Sequence, residues 1–374
     1  MKIVADENMP LVAELCGPFG DVVTAPGRAI DRALVADADV LLVRSVTRVG
    51  GALLAGSRVR FVGSATIGTD HLDLSWLAAQ GITWANAPGC NAVAVADYVV
   101  AALCACDPDW LGKTVAIVGC GNVGAGLYRR LRNLGVDCLC YDPFLTPGGE
   151  LPLVAFDRVL DADILCLHTP LTRDGPHPTW HLFDADLLGR LKPGALVLNA
   201  GRGEVVDNAA LLAQLENNRL RAVLDVWEGE PRICRDLLAR VAIGTPHIAG
   251  YSLEGRLRGT LRVHEALCRF LGAGRGMGLD EALALLPPGS GDTGHALRVP
   301  PGAGFADWVL AAYDPRVDCR RMRQALAADP DTGAAFDALR KGYPWRRELG
   351  YFAPPEGTAA ALCRLLESAG FASP

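Results

Sequence analysis

The sequence predicts an α/β protein of two doubly wound parallel-sheet domains followed by a smaller C-terminal domain. Three observations lead there. Short apolar runs alternate with helix-like segments, the alternation restarts after one long apolar helix, and the composition changes after residue 271. Alternation of this kind is the pattern of parallel strands joined by crossover helices.

In the first half the strand-like runs are 2–5, 40–43, 59–62 and 83–85, each bounded by Gly, Pro, Asp or Asn. Residues 91–106 follow, with Ala, Val and Leu at most positions, and read as a helix buried on most sides that joins the two sheet domains. The rhythm resumes at 114–118 and continues through 136–141, 164–167, 195–198 and 222–226. A helix-like segment at 253–271 returns the chain to the first domain, which makes that domain discontinuous. The expected bounds are 1–93 plus 252–275 for the first domain, 94–251 for the second and 280–374 for the third. Residues 272–278 form a glycine-rich joint, and 287–301 has the Gly, Pro and Ser content of a linker. Beyond it, 306–313, 320–328, 332–341 and 358–369 read as helices, with Trp308, Trp345, Tyr351 and Phe352 as aromatic core. About 90 residues make a domain that is marginal alone and gains from docking on a partner subunit.

Composition narrows the function classes. The 374 residues carry a net charge of −6, so no basic surplus points to nucleic acid. Half are apolar and 21% charged, as in a packed globular chain. The 12 cysteines include no C-x-x-C pair, so zinc ribbons and thioredoxin-type redox pairs are unsupported and no metal is expected. The start lacks the apolar core of a signal peptide, and the most apolar stretch, 92–106, carries Asp97 and is too short to cross a bilayer. A cytoplasmic protein with reduced thiols, away from membranes, is the expectation.

Gly119-Cys120-Gly121-Asn122-Val123-Gly124 follows the strand 114–118 and precedes a helical segment. In that setting G-x-G-x-x-G is a dinucleotide fingerprint, and the domain is Rossmann-like. Gly119 permits the turn, Gly121 lets the backbone approach a pyrophosphate, and Gly124 lets helix and strand pack closely. Asp142 closes the next strand, where a carboxylate binds a ribose 2′-hydroxyl and repels the extra phosphate of NADP; NAD is therefore the expected cofactor. The other reading of Asp142 is a surface turn residue before Pro143. Thr169, at the end of another strand, lines the same edge, and His168 beside it reads as structural.

Three further strand ends bring chemistry. Asn199-Ala200-Gly201-Arg202-Gly203 offers a guanidinium fork for a carboxylate. Residues 224–231 carry Asp225, Glu228 and Glu230, and 245–250 places His247 in an apolar, proline-bent strand. Hydride transfer from a secondary alcohol needs a base for the hydroxyl proton, and histidine titrates in the right range. A carboxylate would orient that imidazole. Glu230, Glu228 and Asp225 are all open to this role on physical grounds alone.

The stretch Leu191-Lys192-Pro193-Gly194 through Asn199, Arg202-Gly203 and Asp207, with 225–231 and 245–250, resembles the NAD-dependent D-2-hydroxy-acid dehydrogenase family. The resemblance implies that Arg202 binds the substrate carboxylate and polarises the reacting carbon–oxygen bond, Glu230 supports the histidine and His247 is the acid/base. It adds Asn122, Val123, Thr169, Asp225 and Gly250 to the cofactor side. Asp6-Glu7-Asn8-Met9-Pro10, Val43-Arg44-Ser45-Val46-Thr47, 65–71, 87–92 and 244–260 resemble a branch of that family acting on a phosphorylated four-carbon 2-hydroxy acid on the way to pyridoxal 5′-phosphate. That branch implies Ser45, Thr66 and Tyr251 as substrate-binding residues and a homodimer formed through the C-terminal domain. Arg44 or Arg48 is a candidate for the phosphate, on charge alone. Rival readings are another dehydrogenase of the family, such as one for 3-phosphoglycerate, and an NAD-sensing binding protein without turnover. Asp97 stands where the family more often has Glu, 104–113 is shorter, and the C-terminal domain is rich in Ala and Arg.

Overall fold

Strand β1 (Lys2–Asp6) opens a five-stranded sheet with β2 (Asp21–Ala25), β3 (Val40–Val43), β4 (Phe61–Ser64) and β5 (Thr83–Ala85). The order is β2-β1-β3-β4-β5 and every pair is parallel. This computed structural model describes residues 1–287 and 297–373, so most of the expected linker at 287–301 lies outside the described residues. β2 was not among the expected strands. It is an edge strand of mixed exposure, so its sequence, Asp-Val-Val-Thr-Ala, lacks the continuous apolar run of its buried neighbours. The helix Leu253–Leu271 starts at Ser252, whose Oγ accepts from the Gly255 amide (2.8 Å), and stops at the left-handed Gly272. Its Leu257, Leu261, Val263 and Leu267 share a core with Ile3, Ala5, Val40, Leu42 and Phe61.

The described residues form two compact units, one of 1–91 and 252–287, the other of 92–251 and 297–373. The second contains β6 (Val115–Val118), β7 (Cys138–Tyr141), β8 (Ile164–Leu167), β9 (Leu196–Asn199), β10 (Arg221–Leu224) and β11 (Ile243–Gly244) in the order β11-β10-β9-β8-β6-β7, again all parallel. The two-residue pleat divides each strand between two cores. Val115 and Ile117 join one, with the helix Ala92–Cys106, and Ala116 and Val118 join the other. The helix Asn122–Asn133 follows β6 and buries Gly124, Leu127, Tyr128 and Leu131 at the spacing of one helical face.

The C-terminal helices Phe305–Ala312, Pro315–Ala328, Thr332–Lys341 and Ala360–Ala369 do not keep a core to themselves. Trp308, Val309, Phe352 and Leu366 pack with Tyr98, Leu127 and Leu131, and Met322, Leu326 and Phe336 pack with Leu224, Trp227 and Leu237. Asp97, buried, forms an ion pair with Arg130 and accepts from the Leu349 amide (2.9 Å). Asp97 thus ties the C-terminal segment to the helix Ala92–Cys106 within the second unit. Among the described residues no helix is long and apolar enough to cross a membrane.

Candidate active site

In open α/β sheets ligands bind beyond the carboxyl ends of the strands, where the strand order reverses. In the second unit that point lies between β6 and β8, because the chain leaves β6 for β7 on one flank and returns to β8 on the other. Gly119–Gly124 turns there. A Cβ on Gly124 would stand 2.0 Å from the Gly119 carbonyl oxygen, so only glycine permits the turn; one on Gly121 would meet no protein atom within 4 Å. Gly121 caps the helix without a side-chain bond, which leaves the first-turn amides of Asn122 and Val123 directed outward. Asp142 is no mere surface turn. Its Oδ2 accepts from the Cys120 amide (2.9 Å) and its Oδ1 from the Phe144 amide (3.0 Å), so it braces the glycine loop. Across the switch point Thr169 is buried, and its Oγ1 has no hydrogen-bond partner among the described residues. An open glycine cradle, an uncapped helix start and an orphaned hydroxyl on one sheet edge fit a dinucleotide. Both ring nitrogens of His168 are shut off from solvent without a partner among the described residues, and burial pushes its imidazole down to about 4, so it stays neutral near neutral pH.

Arg202 follows β9. Asn199 builds its loop, accepting from the Gly201 amide (3.0 Å) and donating to the Arg202 carbonyl (2.9 Å). A Cβ on Gly203 would lie 2.0 Å from the Trp227 carbonyl carbon, so the Arg202 loop presses directly on the backbone of the next strand's loop. The guanidinium is half-buried, and its Nη1 donates to the Gly201 carbonyl (2.9 Å).

The three acidic candidates separate cleanly. Glu228 bonds His181 Nε2 (2.8 Å) and accepts from the Asn208 amide (3.3 Å). Asp225 is buried and turned inward. It accepts from Thr245 Oγ1 (2.7 Å) and from the amides of Ile248 (2.8 Å) and Ala249 (2.9 Å), and so shapes the loop that carries His247. Burial raises its carboxyl, against the pull of His247 and these donors. Glu230 is the imidazole's partner, with Oε2 2.8 Å from His247 Nδ1 and Oε1 accepting from the Trp227 amide (2.8 Å). Burial works against its charge, but His247 and Arg340 outweigh that and hold its carboxyl below the usual range.

His247 does not stand in a strand. β11 ends at Gly244, and His247 sits in the loop beyond at φ 55°, its amide donating to the carbonyls of Asp225 (2.7 Å) and Thr245 (3.0 Å). The proline-bent segment read as strand is a turn because these inward bonds replace a sheet ladder. With Nδ1 directed at Glu230, Nε2 is the remaining ring nitrogen, and the side chain is 34% exposed. Gly250 and Tyr251 end the same loop, and the Tyr251 amide donates to the Ile248 carbonyl (2.8 Å).

Ser45 and Thr66 belong to the first unit. Ser45 is exposed just after β3, beside half-buried Arg44 and close to exposed Arg48. Thr66 Oγ1 bonds Ser64 Oγ (2.8 Å) and donates to the Gly68 carbonyl (3.1 Å), while Ser64 also bonds His71 Nε2 (2.9 Å). Arg340, in the C-terminal helix, was not foreseen. Its one signal in the sequence is its place four residues after buried Phe336, on the same helical face.

Comparison with known proteins shows the family and the fold. Residues 106–249 match the family described as D-isomer specific 2-hydroxyacid dehydrogenase, NAD binding domain, and 302–353 match a domain of unknown function. The chain is 50% identical over 354 residues to the erythronate-4-phosphate dehydrogenase of Cellvibrio japonicus, covering 93% of each chain. It is 48% identical over 385 residues to the enzyme of that name from Pseudomonas aeruginosa, covering 99% of each. Among solved structures it resembles the NAD-dependent formate dehydrogenase of Staphylococcus aureus in complex with NAD (TM-score 0.61, 24% identity, 72% of this chain and 96% of that one). It also resembles the NAD-bound 3-phosphoglycerate dehydrogenase of Entamoeba histolytica (TM-score 0.63, 23% identity, 73% and 95%). Those two likenesses establish the fold.

Proposed function

The chain belongs to the erythronate-4-phosphate dehydrogenase family of D-isomer specific 2-hydroxyacid dehydrogenases, and on that premise we propose the reaction and the residues that carry it. It oxidises 4-phospho-D-erythronate to (R)-3-hydroxy-2-oxo-4-phosphooxybutanoate with NAD, a step of pyridoxal 5′-phosphate biosynthesis. The observation that carries the residue assignment is the Glu230–His247 bond of 2.8 Å, on loops adjoining the one that bears Arg202.

NAD, when bound, supplies the acceptor for the C2 hydride. The first-turn amides of Asn122, Val123 and Gly124 would hold its pyrophosphate and Asp142 its ribose, with Thr169 and Gly250 on the same edge and Asp225 acting through the loop it braces. Arg202 grips the substrate carboxylate and polarises the C2–oxygen bond. His247 Nε2 takes the C2 hydroxyl proton, because Glu230 holds the proton of the neutral ring on Nδ1 and stabilises the imidazolium once formed. The hydroxyl proton ends on Nε2 and the C2 hydride leaves with its electron pair, which turns the secondary alcohol into a ketone. Ser45, Thr66 and Tyr251 offer hydroxyls to the substrate's oxygens. We assign the protein to the cytoplasm as a homodimer that pairs through its C-terminal domain.

The test is a steady-state assay, followed by NADH absorbance, with 4-phosphoerythronate and 3-phosphoglycerate, each with NAD and NADP. The expected outcome is a kcat/KM highest for 4-phosphoerythronate with NAD. Faster turnover of 3-phosphoglycerate would overturn the substrate assignment. Tight NADH binding without turnover of either acid would overturn the enzymatic one.

A further inference from the structure

The helix Thr332–Lys341 touches both loops of the acid/base pair. At its start, a Cβ on Gly333 would lie 3.1 Å from Arg232 Cγ and 3.5 Å from Pro231 Cγ, directly after Glu230. In its last turn, Arg340 lies against Tyr251 at the end of the His247 loop, its guanidinium carbon 5.8 Å from the ring centroid. The guanidinium is enclosed, and its Nε has no partner among the described residues. Burying a cation with an unmet donor is costly, whereas Phe336 one turn earlier already anchors the helix in the apolar core. What offsets the cost is the negative charge of Glu230 and Asp225 together with the Tyr251 oxygen, the groups that favour the charged form of Arg340.

We propose that Arg340 is a positioning residue for the reaction, one that holds the Tyr251 ring against its guanidinium and sets the charge around Glu230, the partner of His247. The C-terminal domain thereby contributes to the active site of its own chain. The inference rests on reading Glu230 and His247 as the acid/base pair. The charged or titratable groups around Arg340 are Glu230, bonded to His247, and Asp225 behind the same loop, with Tyr251 and, edge-on to Tyr251, Tyr343. Arg340 helps His247 hold the Glu230 carboxyl below the usual range against its burial, so the partner of the imidazole stays ionised to lower pH. Tyr251, fixed from behind, presents one orientation to the substrate.

The experiment is the pH profile of kcat/KM for 4-phosphoerythronate, together with KM at neutral pH, in the full-length enzyme and in Arg340→Met and Arg340→Lys. In Arg340→Met the acid limb moves to higher pH by about 0.5–1 unit, and KM rises by about 3–10-fold as Tyr251 loses the cation against its ring. Arg340→Lys keeps the charge, so its acid limb stays with the unmodified enzyme, while KM remains raised because an ammonium lacks the planar fork. Should Arg340→Met not fold, Arg340→Gln, which keeps donor groups and loses the charge, reads the same limb. An acid limb that is unmoved by loss of the charge, or displaced as far by Lys as by Met, overturns the inference while leaving the acid/base reading intact. An unmodified enzyme without turnover overturns both.

Discussion

Replacing His247 with Asn is expected to lower kcat for 4-phosphoerythronate by about 10²–10⁴-fold at neutral pH. Asn is the informative substitution because His247 sits at φ 55°, a left-handed conformation that Asn tolerates and Ala resists. His247→Ala would mix loss of the base with strain in the loop. In His247→Asn the amides of Ile248 and Ala249 still find Asp225, so the loop persists and the missing group is the ring nitrogen. NADH binding, followed by fluorescence, is expected to change little, since the glycine loop and Asp142 lie on other strand ends. The loss should shrink toward high pH as hydroxide replaces the base. A near-normal kcat at neutral pH in His247→Asn would remove His247 from the mechanism.

Arg202→Lys is the second large effect, with a loss of about 10²-fold in kcat/KM, equivalent to about 2.7 kcal/mol of transition-state stabilisation. Both side chains are cationic, so a uniform attraction for the substrate survives. What goes is the paired, coplanar grip on a carboxylate and the donor to the developing oxygen charge at C2. Asn199 and the contact of Gly203 with Trp227 hold the backbone in place in either variant, so the measured loss reports the side chain. If arginine were present only to attract an anion, lysine would restore kcat, and that result would contradict the assignment.

Much of this architecture is legible in the sequence, and the physical reasons are specific. β3, β6, β8 and β9 are buried on both faces, so they announce themselves as uninterrupted apolar runs. The glycine pattern is legible because close backbone approach excludes every other residue at Gly124. Strand β2, half-exposed at an edge, and β11, two residues long, carry too little pattern to be read. Choosing among Asp225, Glu228 and Glu230 needed coordinates: three carboxylates within six residues differ by which way the loop turns, and inward bonds from Thr245, Ile248 and Ala249 decide that. The positive φ at His247 has the same origin. Arg340 was out of reach, because its meaning comes from packing the last fifth of the chain against the strand-end loops, which no local periodicity records.

The shared interior of sheet and C-terminal helices limits how far this enzyme can be pared down. Trp308, Phe336 and Leu366 fill the same hydrocarbon layers as β6 and β10, so the tail is not an appendix that could be cut away to leave a smaller working dehydrogenase. Trimming it would flood two oily seams with water and strand Asp97 without its amide donor.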